Sequence, residues 1–214
     1  MANLLRTALV AAVTAMLGCG PALAGADWGR LDDLQTGRAI PGPAGWLNWC
    51  MADTSRCGEA RRAERLPATG ALVALLEEVQ SQVNAAIAPQ PERPGLDLWR
   101  ADAAAGDCED YALTKRARLR AAGLPAGAVR LATASLPSGE LHAVLTVETD
   151  RGTLVLDNLQ PRVVPMRALD YSWRRVEGTY GRLEWRELGG TATLAASGAA
   201  QARDTASLSA GAAQ

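Results

Sequence analysis

A β-hairpin signal constrains the fold of this chain more than any other part of its sequence. Apolar and β-branched residues fill two runs, 141–149 and 153–158, and the segment Asp150-Arg151-Gly152 separates them. This pattern predicts two antiparallel strands joined by a tight turn. If the turn pairs position 149 with 152, then 142 faces 159, and Asp157 lies diagonally from His142 on the same face.

Two helices are predicted before this hairpin. Apolar residues recur at spacings of three and four from Gly70 to about Ala88, with Thr69 as the N-cap and Pro89 as the residue that ends the run. The second helix is predicted from Cys108 to about Ala122, and Gly123 suits the position just past its end.

The remaining segments carry weaker signals. Residues 25–68 contain scattered prolines and glycines and are predicted to be irregular. Further strands are expected at 129–134, 163–164 and 180–188. The tail 189–214, rich in Ala, Gly and Ser, is predicted to be disordered. The net charge of −1 gives no case for binding nucleic acid or an anionic membrane.

The first 24 residues have the pattern of a secretory signal peptide. Arg6 is followed by an apolar stretch at 8–17 and by the small-residue cleavage site Ala22-Leu23-Ala24, and the stretch is shorter than the ~20 residues that span a bilayer. We therefore expect an exported domain at 25–188. In an alternative, Met16-Leu17-Gly18-Cys19 is a lipoprotein box with Cys19 as the anchor, although Met fits its first position poorly.

Export determines how the cysteines are interpreted. Once Cys19 leaves with the signal, three cysteines remain. Cys50 and Cys57 are natural partners for a disulfide in an oxidising compartment. Cys108 is then the odd thiol, and the carboxylates beside it argue against a buried cysteine that acts only as a small hydrophobe.

The position of Cys108 exposes its thiol to two opposing influences. Backbone N–H groups and the dipole at a helix N-terminus lower a thiol pKa, and the same N–H groups can hold an oxyanion. The neighbouring carboxylates of Asp107, Glu109 and Asp110 raise that pKa, because like charges disfavour ionisation.

Residue chemistry alone leaves three interpretations of these carboxylates open. A protonated His142 paired with the thiolate is one way to resolve the conflict. A bound cation is the second, and carboxylate oxygens at a loop-to-helix junction suit Ca²⁺. In the third, Asp107 and Asp110 only cap the helix and Glu109 is solvated.

His142 is the only histidine, so any imidazole base must be this residue. Cys, then His, then Asp is an order that can build a thiol triad, and the whole constellation favours catalysis over a structural histidine. The hairpin register favours Asp157 as the residue that orients the imidazole. A slip of one residue would favour Asn158 instead.

Three segments in this order resemble one protein family. The segments 106–112 with Lys115, 141–145 and 156–159 are similar to those of the bacterial transglutaminase-like cysteine proteinases, the LapG-type periplasmic proteases. The resemblance covers about 46–180, and the three blocks together are much more specific than any one of them.

The resemblance implies an α+β, papain/transglutaminase-like fold, with the nucleophile at a helix N-terminus packed on an antiparallel sheet. It implies Cys108 as the nucleophile, His142 as the general base and then acid, and Asp157 as the orienting residue. It also implies a calcium requirement, with ligands among the acidic residues around the nucleophile, which here are Asp107, Glu109 and Asp110.

The resemblance further implies a substrate and a partner. The substrate is the N-terminal region of a large surface adhesin, cleaved next to a pair of small residues, usually alanines, so that the adhesin is released and the biofilm disperses. The partner is the periplasmic domain of an inner-membrane cyclic-di-GMP receptor. The expected location is the periplasm, with no membrane span in the mature chain.

Two alternatives to the protease remain at this level. A transamidase or amidase would use the same Cys-His-Asp chemistry and differ in what resolves the acyl-enzyme. A catalytically silent, calcium-stabilised periplasmic binding module is the other, although it has no need for all three residues. Trp99 is the sequence's candidate for a second oxyanion donor.

Overall fold

The computed structural model describes residues 36–57, 62–93 and 95–188. The predicted signal peptide 1–24 and tail 189–214 lie outside the described residues, so these domain boundaries stay predictions. None of the helices in the described part of the chain has the length and apolar character needed to cross a bilayer.

The described elements are mostly short and are dominated by strands. In chain order they are β1 (Thr36–Ile40), α1 (Ala44–Ala52), α2 (Gly70–Ala86), β2 (Ala88–Pro89), β3 (Ala105–Gly106), α3 (Cys108–Ala121), β4 (Val129–Ser135), β5 (Leu141–Thr149), β6 (Gly152–Leu156), β7 (Val164–Pro165), a 3-10 turn (Met166–Ala168), β8 (Ser172–Glu177) and β9 (Trp185–Leu188).

A seven-stranded sheet with the order β1-β9-β8-β4-β5-β6-β7 forms one layer. All of its neighbouring strands are antiparallel. Helix α3 packs on β4 and β5, and α2 packs against α3. Helices over an antiparallel sheet confirm the expected α+β class. Helix α3, which begins at Cys108, lies directly on the central strands.

The core lies between α3 and the sheet. Leu113 and Leu119 of α3 meet Leu131, Leu145 and Leu156 of the central strands, and all five are at most 1% exposed. Full burial of such side chains contributes roughly 1.5–3 kcal/mol each. The helix that begins at Cys108 is therefore fixed rigidly over β5, which carries His142.

The helix ends follow local chemistry. The Thr69 hydroxyl accepts a hydrogen bond from the Leu72 amide at 3.1 Å, which confirms the predicted N-cap of α2. Gly123, just past α3, has φ +91°, a left-handed conformation that glycine adopts without strain. Asp107 occupies the predicted N-cap position of α3, but its side chain makes no capping hydrogen bond.

The prediction of an irregular segment at 25–68 is wrong for part of its length. Strand β1 and helix α1 lie within it. Within α1, Trp46 is 1% exposed and stacks edge-on against Trp185 of β9, with ring centroids 5.4 Å apart. Tertiary packing of an aromatic residue, which no local pattern reveals, therefore stabilises this short helix.

A buried ion-pair network joins α3 to the sheet. Arg116 Nη1 donates to Glu177 Oε1 at 2.7 Å, and Glu177 Oε2 accepts from the Leu131 amide at 3.0 Å. Arg130 Nη2 donates to Glu148 Oε1 at 2.9 Å, and its Nη1 donates to the Glu177 carbonyl at 3.2 Å. The carboxylates thus face cations, as buried charges require.

Candidate active site

The candidate nucleophile begins helix α3. Cys108 is a free cysteine at the first position of the helix. Gly106, two residues earlier, lies in β3 and pairs with Pro89 of β2. A Cβ at Gly106 would overlap the Asp110 carboxylate, so only glycine permits this close approach of strand and helix.

The hairpin brings His142 and Asp157 together in the register that the sequence predicts. Thr149 pairs with Gly152 and Leu145 with Leu156, so the register of the two strands does not shift along the hairpin. Asp157 follows β6 directly, and its Oδ1 lies 2.8 Å from His142 Nε2. The diagonal contact is thus made by Asp157 and not by Asn158.

Three donors hold the Asp157 carboxylate. Besides His142, the Leu159 amide donates to Oδ1 at 2.9 Å and the Tyr171 hydroxyl donates to Oδ2 at 2.7 Å. Burial raises the pKa of Asp157, but His142 and these two hydrogen bonds outweigh it, so the pKa lies below its ordinary value. Asp157 is therefore an anion that fixes the imidazole.

Helix α2 supports the same corner from behind. The fully buried Gln80 side chain donates through Nε2 to the carbonyls of Asp157 and Gln160, both at 2.7 Å. Asn84, one turn later, donates to the Gln160 carbonyl at 3.0 Å. Gln80 is the only polar residue among the buried side chains of α2, and a polar residue within the apolar stripe was a usable signal in the sequence.

The thiol faces the strand that carries the histidine. The Ala143 amide lies 3.3 Å from Cys108 Sγ, and Cys108, His142 and Ala143 line one cavity of about 420 Å³. Because Nε2 of His142 is engaged with Asp157, Nδ1 is the ring nitrogen left for proton exchange with the thiol.

The surroundings of the thiol keep it protonated in this arrangement. Burial raises the pKa of Cys108, and the Glu109 carboxylate raises it further, while the Ala143 amide opposes them. The thiol S–H donates to Glu109 Oε2 at 3.1 Å. The charge of Glu109 is therefore one obstacle to formation of the thiolate, after burial.

A cluster of three carboxylates lies beside the thiol. Oxygens of Glu92, Asp107 and Glu109 lie within 4.8 Å of one another. Asp107 Oδ1 and Glu92 Oε1 are buried without a hydrogen-bond partner in the described structure, and burial with the nearby Asp107 raises the pKa of Glu109 to about 8. Unsatisfied, hard oxygen donors at this density fit the ligand chemistry of Ca²⁺.

The membership of this cluster differs from the expected ligand set. Asp107 and Glu109 belong to it, but the structure does not bring Asp110 into it. The Asp110 carboxylate is fully buried and accepts from the Arg100 amide at 2.7 Å and from Arg100 Nη2 at 3.1 Å. Glu92 takes the third place, and the sequence analysis missed it because it lies in a proline-rich loop sixteen residues before Cys108.

Lys115 lies two turns after the nucleophile on α3. It is the only lysine of the chain, and it is fully buried. Its Nζ has no hydrogen-bond partner among the described residues and lies 5.9 Å from the centre of the Tyr111 ring. Burial lowers the pKa of Lys115 to about 7, and the charge of Asp157 opposes that shift.

Two further sequence expectations concern α1 and the loop before α3. Cys50 and Cys57 form a disulfide that closes the end of α1. Trp99 is not free to act as an oxyanion donor, because its indole N–H donates to Asp97 Oδ1 at 2.6 Å. Asp97 Oδ2 also accepts from the Gly45 amide at 2.6 Å, so this loop is tied to α1.

Comparisons with known proteins identify one family. A family model described as bacterial transglutaminase-like cysteine proteinase matches residues 36–193. Among solved structures, the EGTA-treated LapG of Legionella pneumophila is 27% identical with a TM-score of 0.47, over 57% of this chain and 70% of that chain. The calcium-bound LapG is 23% identical with a TM-score of 0.45, over 58% and 80%. No curated protein sequence matches this chain.

Proposed function

The chain belongs to the bacterial transglutaminase-like cysteine proteinase family, and from this premise we propose that it is a calcium-dependent periplasmic endopeptidase that uses Cys108, His142 and Asp157. The observation that carries the proposal is the junction of α3 and β5. There the only free thiol of the described chain accepts from the Ala143 amide at 3.3 Å, next to an imidazole held by Asp157 at 2.8 Å.

The proposed reaction has two stages. Nδ1 of His142 takes the thiol proton while Cys108 Sγ bonds to the scissile carbonyl carbon. The Cys108 amide, which precedes the first hydrogen-bonded amides of α3 at Asp110 and Tyr111, stabilises the oxyanion. The imidazolium then gives its proton to the leaving amine, and water activated by the same nitrogen hydrolyses the thioester.

Asp157 acts in both stages without exchanging a proton. Its carboxylate stabilises the imidazolium that forms when the thiol is deprotonated, and its fixed position selects the ring orientation. The low pKa that its three donors impose keeps it charged throughout the neutral range. Tyr171 and the Leu159 amide are therefore positioning groups for the imidazole.

Glu92, Asp107 and Glu109 are proposed to hold the calcium ion. When bound, Ca²⁺ supplies positive charge that offsets the carboxylates responsible, after burial, for the high thiol pKa. Engagement of Glu109 also removes the acceptor that holds the thiol proton at 3.1 Å. The orphaned oxygens of Asp107 and Glu92 support this assignment.

The proposed substrate is the N-terminal region of a large surface adhesin, cleaved at a pair of small residues such as Ala-Ala. Release of the adhesin would promote biofilm dispersal. The proposed partner is the periplasmic domain of a cyclic-di-GMP receptor, which would sequester the protease. The substrate and the partner follow from the family resemblance, whereas export after residue 24 and a catalytic domain at 25–188 follow from the signal-peptide pattern and the composition of the tail.

A cleavage assay tests the proposal. The purified protein is incubated with an adhesin N-terminal domain that bears an Ala-Ala site, in calcium, in chelator, and after calcium is restored. Cys108→Ala serves as the inactive variant, and Ser81→Ala, exposed on α2, serves as the matched control. We expect cleavage only where both calcium and Cys108 are present.

Other outcomes separate the alternatives. Transfer of an added amine to the substrate, with little hydrolysis, would favour a transamidase on the same thiol chemistry. A thiol that resists alkylation in calcium and cleaves nothing would favour the binding module. Full activity of Cys108→Ala would refute the assignment of the nucleophile.

A further inference from the structure

A basic cavity of about 670 Å³ lies on the side of α3, outside the residues that line the active-site cavity. Arg116 and Arg120 of α3 form one wall, and Arg56 and Arg182 face them from the disulfide loop and the turn before β9. No carboxylate side chain contributes to the lining found among the described residues. Its volume falls within the range of roughly 300–1,000 Å³ typical of ligand sites.

Only part of this charge is neutralised by the protein itself. Arg116 is paired with Glu177 at 2.7 Å behind the wall. Arg56 lies 3.4 Å from Asp53, and both side chains are more than 40% exposed, so that pair is weak. Within the described ranges, Arg120 and Arg182 have no carboxylate at ion-pair distance, and Arg120 donates only to the Leu124 carbonyl. Counted over the described residues alone, the cavity therefore carries about two uncompensated positive charges.

Trp49 fixes the geometry of the cavity. The Arg56 guanidinium lies 5.7 Å and the Arg116 guanidinium 5.5 Å from the centre of its ring, so one indole orders two cations. Trp49, Leu113 and Ala101 also give the cavity an apolar wall. The lining is thus both cationic and apolar.

The disulfide loop prearranges one side of the cavity. Thr54, Ser55 and Arg56 lie between Cys50 and Cys57, which are covalently joined. Closing a short loop reduces the conformational entropy that binding would otherwise remove. A wall built in this way is suited to present its groups to a ligand without rearrangement.

We propose that this cavity binds an acidic peptide segment of a partner protein. Its carboxylates would contact Arg120 and Arg182, and an apolar side chain between them would lie against Trp49. Charge complementarity selects the carboxylates. The apolar wall selects a peptide over a simple inorganic anion, because such an anion has no atoms to cover Trp49. The inference does not depend on the proteolytic activity.

Fluorescence anisotropy with two labelled peptides of equal charge tests the proposal on the purified protein. One peptide alternates glutamate with leucine, and the other alternates glutamate with serine. The test variant is Arg120→Gln/Arg182→Gln. The matched control is Arg151→Gln/Arg167→Gln, which removes two exposed charges away from the cavity. We expect the glutamate–leucine peptide to bind about tenfold more weakly to the test variant, as loss of two charge contacts predicts, and nearly unchanged to the control.

Charge reversal gives a second, positive readout. Arg120→Glu/Arg182→Glu should reject the acidic peptide and gain binding of a lysine–leucine peptide. Equal losses in the test and control variants would overturn the proposal, since they would indicate only general attraction to a charged surface. Equal affinity for the serine and leucine peptides would overturn the peptide assignment in favour of a simple anion.

Discussion

Replacing Lys115 by methionine should stabilise the protein, by an amount that falls as the pH rises. The lysine is fully buried, and its Nζ lacks a hydrogen-bond partner in the described structure. Methionine has a similar volume, contacts the same apolar surroundings and carries no charge. Loss of the attraction to Asp157 is offset because that carboxylate keeps three hydrogen-bond donors.

The magnitude follows from the difference between the folded and unfolded pKa values. The folded pKa is about 7, against 10.5 for an exposed lysine, with burial as the main cause. Between these values the unfolded chain binds more protons, so the wild-type free energy of unfolding rises with pH in this window. At 1.36 kcal/mol per pKa unit, the buried charge costs about 5 kcal/mol below pH 7 and about 2 kcal/mol at pH 9.

Urea unfolding at several pH values between 6 and 9 measures this effect. The stability difference between Lys115→Met and wild type should fall by about 3 kcal/mol over that range. Arg118→Met on the same helix is the matched control, because a guanidinium does not titrate there. A stability difference that is independent of pH, or a methionine variant less stable than wild type at pH 6, would refute the reasoning.

Three further predictions concern the site and its surroundings. Tyr171→Phe removes a hydrogen bond of 2.7 Å to the triad carboxylate, so kcat/KM should fall about tenfold and the free energy of unfolding by about 1–3 kcal/mol. A fall in kcat/KM of less than twofold would contradict its positioning role. Glu92→Gln should weaken calcium binding in calorimetry by at least about tenfold, whereas the control Glu78→Gln, at an exposed position, should not. Equal calcium affinities of the two variants would remove Glu92 from the ligand set. Replacing Cys50 and Cys57 by serine should lower the unfolding free energy by about 2–3 kcal/mol, as expected for a loop with a separation of 7 residues, and an unchanged urea midpoint would count against it.

The local parts of the site could be predicted because local rules fix them. The turn at Asp150-Arg151-Gly152 sets the strand pairing, and the pairing alone decides which side chains share a face with His142. The apolar period and the cap at Thr69 likewise predicted helix α2, to within two residues of its end at Ala86. The fold class followed from the family resemblance.

The parts that the sequence did not reveal depend on contacts between distant segments. Glu92 joins the carboxylate cluster from the loop between β2 and β3. Tyr171, which directly precedes β8, reaches Asp157 at the end of β6. Strand β8 was not predicted, because its sequence Ser172–Glu177 mixes charged and aromatic residues that only pairing with β4 explains. Asp110 was expected at the metal and is instead held by Arg100, a partner that sequence spacing does not indicate.

The burial of the only lysine also makes it a chemical reporter. Amine-reactive reagents meet no exposed lysine side chain on the folded protein, since Lys115 is the chain's only one and is fully covered. Modification of Lys115 therefore requires α3 to separate from its neighbours, at a rate set by the free energy of that opening. Acylation followed by mass spectrometry would record, at a single position, how often the helix that begins with the nucleophile opens, and whether calcium or a bound peptide slows it.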